Sequence, residues 1–185
     1  SILSNYIGVN INGTAKLANA DNGVFLANTA NAIIGDGTVA GRNVIAGNGI
    51  SGVRIAASAG TTVKGNYVGV DSTGMAGLGN ALHGVYVQNS ADVVVGGSAA
   101  NDRNVVSGNG VIGVYMVGAT SNTRVENNLV GLLSDGATIA ANGGAGIETS
   151  ATNGVVIHSN VASGNATRGV HLVNSPNTTV TNNLV

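Results

Sequence analysis

An asparagine placed directly before a short apolar pair recurs along this chain and constrains its fold more than any other feature. The seven positions among the 185 residues are Asn5, Asn43, Asn66, Asn104, Asn128, Asn160 and Asn183. A second marker, a glycine followed by an alternating apolar run, falls between them at Gly23, Gly52, Gly84, Gly113, Gly146 and Gly169. Two markers that recur in a fixed order predict a solenoid, in which each repeat packs on the next.

The spacing of the markers defines the repeat. The shortest unit, from Asn160 to Asn183, spans 23 residues and is a bare coil. Insertions of 15 residues, at 8–22, 69–83 and 131–145, follow every second asparagine. The period is therefore two coils, and a shift of 61 residues places the marker at Gly23 on the marker at Gly84.

Each coil contains three short runs rich in Val and Ile, such as 52–56, 61–64 and 66–70. Their composition and alternation are typical of strands. Runs this short cannot form a sheet within one coil, so we expect each to pair in parallel with its equivalents in the neighbouring coils. The 30 glycines and many β-branched residues disfavour helix. The sequence predicts an all-β solenoid of about six to seven three-stranded coils.

The two markers predict which side chains lie inside. Strand side chains alternate, so both aliphatic residues after each glycine should face the core. The predicted interior pairs are Val24/Leu26, Val53/Ile55, Val85/Val87, Val114/Met116, Ile147/Thr149 and Val170/Leu172. Asparagine tolerates left-handed backbone at the bend between strands, and amides repeated at a strand spacing of about 4.8 Å can bond one another. We therefore predict that the seven marker asparagines form an internal ladder.

The pattern Asn-Val-Ile-x-Gly-Asn, then Gly-Val-x-Ile, then Val-x-Gly-Asn over residues 43–66 resembles the repeats of the pectin-lyase-like superfamily. The resemblance covers essentially the whole chain and implies a right-handed parallel β-helix with an internal asparagine ladder. That superfamily includes polysaccharide lyases, glycoside hydrolases, epimerases, phage tailspikes and adhesins, so the resemblance implies a fold and no single function.

Composition excludes several functions. Charged residues make up 8% of the chain and the net charge is −1, so neither nucleic acid nor an anionic membrane is an expected partner. No apolar run approaches a membrane span, and there is no cysteine to cross-link the coils. His83, His158 and His171 occupy different positions in the coil, so we expect no metal site, and no cofactor is predicted.

Residues 1–185 are expected to form a single β-helix domain. No change in composition, charge run or proline-rich segment suggests a linker within them. The chain starts and stops inside a repeat, and Asn183-Leu-Val lacks the loop and strand that should follow. We expect the chain to be a fragment of a longer solenoid, because neither end offers the polar cap that protects a terminal coil.

The outward position between the two aliphatic residues of each glycine marker is the richest candidate for function. The column contains Phe25, Arg54, Tyr86, Tyr115, Glu148 and His171. Flanked by small residues, it is predicted to line a shallow groove where sugars could stack on the rings and bond to the charged groups. The alternative is that large side chains on neighbouring strands simply support one another.

A catalytic interpretation of the same column assigns Tyr115, Glu148 and His171 to acid/base chemistry on a uronic acid, with Arg54 neutralising its carboxylate. The resemblance does not favour it. Pectate-type lyases use clustered Asp for calcium with a catalytic Arg, and polygalacturonase-type hydrolases use several Asp with His and Arg. The eight acidic residues of this chain are scattered, so we predict no catalytic residue.

Two further columns are expected to be structural. One contains Gly35, Lys64, Gly96, Glu126, His158 and Thr181, and is predicted to be solvated. The residues after the marker asparagines form an apolar stripe: Tyr6, Val44, Tyr67, Val105, Leu129, Val161 and Leu184. Such stripes rarely stay bare, and we expect the long insertions to cover this one through Leu17, Met75, Leu78 and Ile139. A lateral interface is the alternative.

The sequence as a whole predicts a non-catalytic, structural or adhesive segment of a secreted or cell-surface bacterial protein. Its expected partner is a polysaccharide or cell-surface glycan, with self-association along the solenoid or laterally as a further option. The alternative is a polysaccharide lyase, hydrolase or epimerase that acts in a groove along the solenoid.

Overall fold

The computed structural model describes residues 1–185 as a stack of three-stranded coils. The strands form three parallel sheets of six strands each. The first sheet contains β1 Tyr6–Ile7, β4 Val44–Ile45, β7 Tyr67–Val68, β10 Val105–Val106, β13 Leu129–Val130 and β16 Val161–Ala162. The second contains β2 Val24–Ala27, β5 Val53–Ala56, β8 Val85–Gln88, β11 Val114–Val117, β14 Ile147–Ser150 and β17 Val170–Val173. The third contains β3 Ile33–Ile34, β6 Thr62–Val63, β9 Val94–Gly96, β12 Arg124–Glu126, β15 Val156–His158 and β18 Thr179–Thr181.

The only helix is a short 3-10 turn, Ala100–Asp102, so no helix has the length and apolar character needed to cross a membrane. One apolar core runs through the middle of the stack and includes Ile55, Val63 and Val68, one from each sheet of a single coil. The predicted interior pairs are buried in the first five coils. In the last coil Leu172 is 43% exposed, because no further coil packs over it.

The predicted asparagine ladder is confirmed. In every step the side-chain Nδ2 donates to Oδ1 of the marker asparagine in the next coil, over 2.8–3.1 Å. The backbone N–H of the earlier asparagine donates to the same oxygen. The ladder therefore supplies partners to backbone groups that the corner between the third and first sheets would otherwise bury unpaired.

The expected reason for asparagine at this corner is wrong. None of the marker asparagines has a positive φ, and the left-handed residue is the one before it in five coils: Ser4, Gly65, Asn127, Ser159 and Asn182. Two neighbouring positions therefore have different roles at this corner. The first residue makes the bend, and the asparagine turns its amide inward to the ladder.

A second asparagine ladder, which the sequence did not predict, lies at the corner between the first and second sheets. Its members are Asn19, Asn48, Asn80, Asn109, Asn142 and Asn165. Each Nδ2 donates to the next Oδ1 over 2.8–3.0 Å. The four middle members are at most 1% exposed, so the two ladders line opposite ends of the first sheet inside the stack.

The marker glycines are required by packing. A Cβ at Gly84 would lie 2.4 Å from Cγ1 of Val106 and 2.7 Å from the carbonyl oxygen of Gly113. At Gly52 the corresponding distances are 2.7 Å to Val68 and 2.8 Å to the Gly84 oxygen. At Gly23, Gly52, Gly84 and Gly113 a Cβ would meet an Ile or Val side chain of the first sheet, so glycine recurs at the start of these strands because a side chain has no room there.

The long insertions fold as small hairpins that cover the apolar stripe in the inner coils, as predicted. In the terminal coils the cover is missing, since Tyr6 is 49% and Leu184 is 65% exposed. Val105 and Leu129 are each 3% exposed and cluster with Val70 and Leu133, which belong to two of the insertions. Leu78 packs against the neighbouring cluster around Val44, also as expected. The other predicted covering residues are wrong: the exposed fractions are 67% for Leu17, 47% for Met75 and 65% for Ile139.

The three hairpins also bond to one another. Ser72 N–H donates to the Gly13 oxygen over 2.9 Å, and Ser134 N–H donates to the Gly74 oxygen over 3.0 Å. Each contact spans two coils, since only every second coil has a hairpin. The hairpins therefore form a row along the outside of the first sheet.

Candidate functional site

The second sheet places the predicted outward column in register. The strand pairing sets Phe25 beside Arg54, Arg54 beside Tyr86, Tyr86 beside Tyr115, Tyr115 beside Glu148 and Glu148 beside His171. Phe25 is 53% exposed and the other five side chains are half-buried. The six residues therefore form one continuous surface along the solenoid, which we call the outward column.

The centre of the outward column is an aromatic stack. The rings of Tyr86 and Tyr115 lie 5.4 Å apart, centroid to centroid, and are parallel within 8°. Burial raises the pKa of the Tyr86 phenol, and Tyr115 raises it further against the opposing effect of Arg54. Because the ring faces meet each other along the solenoid axis, a ligand lying on the sheet would contact their edges and hydroxyl groups.

Arg54 extends the stack on one side. Its guanidinium carbon lies 5.0 Å from the centre of the Phe25 ring and 5.5 Å from that of Tyr86. Its Nη2 donates to Oε1 of Gln88 over 3.1 Å, and its Nε is buried without a partner. Both aromatic neighbours are thus in cation–π range, and this contact favours the mutual support of neighbouring side chains.

The other side of the stack carries an acid and a base. Nδ1 of His171 lies 2.8 Å from Oε2 of Glu148, and Glu148 adjoins Tyr115 in the next strand. The structure thus brings Tyr115, Glu148 and His171 together. Arg54 lies three strand spacings from Glu148, about 14 Å away, which is too far for both to contact one sugar carboxyl group.

His83 joins this surface although the sequence did not single it out for the column. Its ring lies 5.4 Å from Tyr86 and 5.1 Å from Tyr115, centroid to centroid, and its Nδ1 is buried without a partner. Burial lowers the pKa of His83, and the negative charge of Glu148 opposes this effect. No signal in the sequence marks it, because the residue before each marker glycine differs from coil to coil.

The outward column is a surface, and it lines none of the three concavities of the molecule. No three His, Cys, Asp or Glu side chains come close enough to hold a metal ion. The column offers phenolic hydroxyls, a guanidinium and a carboxylate–imidazole pair on an open face. Such an arrangement is suited to contacts along an extended ligand.

The column on the third sheet differs from its predicted solvated character. Glu126 is only 8% exposed and pairs with Arg124 of its own strand. His158 is the strand partner of Glu126, and its Nδ1 lies 2.9 Å from Oγ1 of Thr181. Lys64 lies 3.2 Å from Asp102. This face therefore carries paired charges, one of them largely buried.

Comparison with known proteins agrees with this architecture. A family model described as the right-handed beta helix region matches residues 2–185. The match therefore includes all three sheets and both ladders. No curated protein and no solved structure matches the chain.

Proposed function

We propose that this chain, which belongs to the right-handed beta helix family, is a non-catalytic, rigid segment of a secreted or cell-surface bacterial protein that contacts glycans along its outward column. The observation that carries the proposal is the stacked Tyr86/Tyr115 pair, with Arg54 on one side and Glu148 bonded to His171 on the other. Together they present hydrogen-bonding groups of both kinds along an open face.

The stacking of these side chains supports the proposal that the binding surface is rigid. Side chains that pack face to face on neighbouring strands hold each other in place, so the hydroxyls at their edges are pre-organised for a ligand. A glycan lying along the axis would then bond to the two phenols and reach Arg54 or Glu148 at its ends. The aromatic rings would contribute edge contacts.

Continuous sheets support an exposed location. Each strand inside the stack is paired on both sides, so only the two terminal coils present unpaired strand edges. The chain also holds together without disulfides, since it contains no cysteine and two asparagine ladders tie its coils. These features favour a protein that survives outside the cell.

A glycan array tests the proposal. Wild type should bind a subset of polysaccharides, and the Tyr86→Ala/Tyr115→Ala variant should lose that binding while keeping its far-ultraviolet circular dichroism. Ile11→Ala is the matched control, because Ile11 is 91% exposed and lies on a hairpin away from the outward column. Absence of wild-type binding would leave a purely structural segment and refute the glycan contact.

One observation favours an enzyme as the second candidate function. The Glu148–His171 hydrogen bond of 2.8 Å next to Tyr115 resembles an acid/base pair in its geometry. Release of unsaturated or reducing uronate ends from an array-positive polysaccharide would detect turnover. Turnover abolished by His171→Ala would establish the enzyme and refute the non-catalytic proposal, whereas binding without turnover would support the proposal.

A further inference from the structure

A cleft on the third sheet lies away from the outward column. The loop 97–103, which contains the 3-10 turn Ala100–Asp102, stands out after β9 and forms one wall. In the next two coils the chain turns directly from Glu126 and from His158 into the first ladder, with no such loop. Because only one of these three coils has the loop, a cleft of about 440 Å³ lies beside it, with Glu126 and His158 as its floor.

The wall of this cleft is fixed in place. Nδ2 of Asn127 donates to the Ala99 oxygen over 3.0 Å. Arg103 donates from Nε to the Asn127 oxygen over 3.1 Å and from Nη2 to its Oδ1 over 2.7 Å. The loop is thus bonded to the following coil at Ala99 and at Arg103, and the cleft is formed before any ligand arrives.

Glu126 supplies an unusual acceptor at the floor. The Glu126 side chain is 11% exposed, and the guanidinium of Arg124 donates to its carboxylate. A carboxylate can accept about four hydrogen bonds, so most of the capacity of this one is unused by the protein. Buried polar groups are normally paired, and the open side of Glu126 is the cleft.

Donors surround that acceptor. The guanidinium of Arg103 has more N–H groups than Asn127 engages, and Ser98 and Ser159 contribute hydroxyls to the lining. Nδ1 of His158 is engaged by Thr181, which leaves Nε2 for a ligand. Ala100 is the only hydrophobic residue of the lining, so the cleft has no platform for an aromatic ligand.

The opposite charges in the lining disfavour a strongly charged occupant. An anion would lie against the carboxylate of Glu126, and a cation would lie against Arg103, while Arg124 already pairs with Glu126. A neutral molecule with several hydroxyls meets neither penalty, since it donates to Glu126 and accepts from Arg103. The volume lies at the small end of the usual range for ligand pockets, about 300–1,000 Å³.

We propose that this cleft binds a neutral sugar residue, with the Glu126 carboxylate as its main hydrogen-bond acceptor and Arg103 and His158 at its rim. The site is independent of the outward column, which belongs to a different sheet. A protein with both sites would hold glycan on two of its three faces.

Nuclear magnetic resonance titration of the ¹⁵N-labelled chain tests this site. The probes are methyl glycosides of neutral hexoses and N-acetylhexosamines, with glucuronate and sulfate as anionic probes and ethanolamine as the cationic probe. At least one neutral glycoside should shift the amide signals of Ser98, Glu126 and His158 saturably. Glu126→Gln, which keeps the shape of the side chain, should weaken that binding about tenfold or more.

The remaining variants separate the two sites. Threonine is a suitable replacement for His158 because Thr181 occupies the equivalent position in the next coil. His158→Thr should therefore weaken binding without loss of fold. The Tyr86→Ala/Tyr115→Ala variant should retain the cleft shifts even if glycan-array binding is lost. Shifts by the anions alone, by ethanolamine alone or by no probe overturn the proposal, as does unchanged affinity in Glu126→Gln.

Discussion

Replacing Asn104 with alanine removes one rung from the middle of the first ladder. The Asn104 side chain accepts from Asn66 N–H over 2.9 Å and from Asn66 Nδ2 over 3.1 Å. It donates to Asn128 Oδ1 over 2.9 Å and to the Val63 oxygen over 2.8 Å. The residue is fully buried, so water cannot replace these four bonds and Asn66 N–H is left without a partner.

The expected loss follows from these contacts. A net contribution of about 0.5–1.5 kcal/mol for each of the four bonds, with about 1–3 kcal/mol for the stranded N–H, gives a destabilisation of about 3–9 kcal/mol. The matched control is Asn5→Ala in the first coil. Asn5 is exposed and its side chain donates only to the Leu3 oxygen and Asn43 Oδ1, so its loss should be about 1 kcal/mol or less.

Urea unfolding followed by circular dichroism measures both losses through the midpoint and slope of the transition. Because solenoids can unfold in parts, hydrogen exchange of the Asn66 amide gives a local reading, which should accelerate in Asn104→Ala and stay unchanged in Asn5→Ala. Equal losses for the two variants would refute the idea that buried amide bonds hold the coils together.

Three further predictions concern single positions. Thr149 is fully buried with its hydroxyl unpaired, so Thr149→Val should raise the free energy of unfolding by about 1–3 kcal/mol in urea unfolding, and a loss would contradict this. Burial lowers the pKa of His83, so its contribution to stability is complete above the ordinary histidine pKa of about 6.5 and is lost as pH falls below it. The urea midpoint should therefore depend less on pH in His83→Asn than in wild type. An unchanged pH dependence would show that His83 is not the group responsible. Gly84→Ala should cost about 1–3 kcal/mol by overpacking, whereas Gly77→Ala, with nothing within 4 Å of the new Cβ, should cost nothing measurable in the same assay.

The repeat made the fold and the outward column predictable from sequence. Strand alternation is a local property, so each marker glycine was sufficient to assign Val53 and Ile55 inward and Arg54 outward. The first ladder was predictable for the same reason, since each of its asparagines begins the same short motif. The second ladder was not, because Asn80 lies near the end of a long insertion while Asn48 lies in a tight turn.

Contacts between segments distant in sequence were the part that could not be predicted. The depth of Glu126 depends on how the loop 97–103 stands beside it, and the position of His83 depends on the path of a hairpin. The residues that cover the apolar stripe were mispredicted for the same reason. Val70 and Leu133 point to the sheet, and Met75 points away from it. Hydrophobicity alone does not distinguish the two directions in a loop.

The two asparagine ladders give the solenoid a net dipole along its axis. In both rows every side-chain amide donates toward the next coil, so the amide dipoles add along the axis. The dipoles of a sheet backbone largely cancel, and these side chains do not. A stack of this kind therefore has a relatively positive end, toward the later coils, and a relatively negative end. Its total dipole moment grows with every coil that continues both rows.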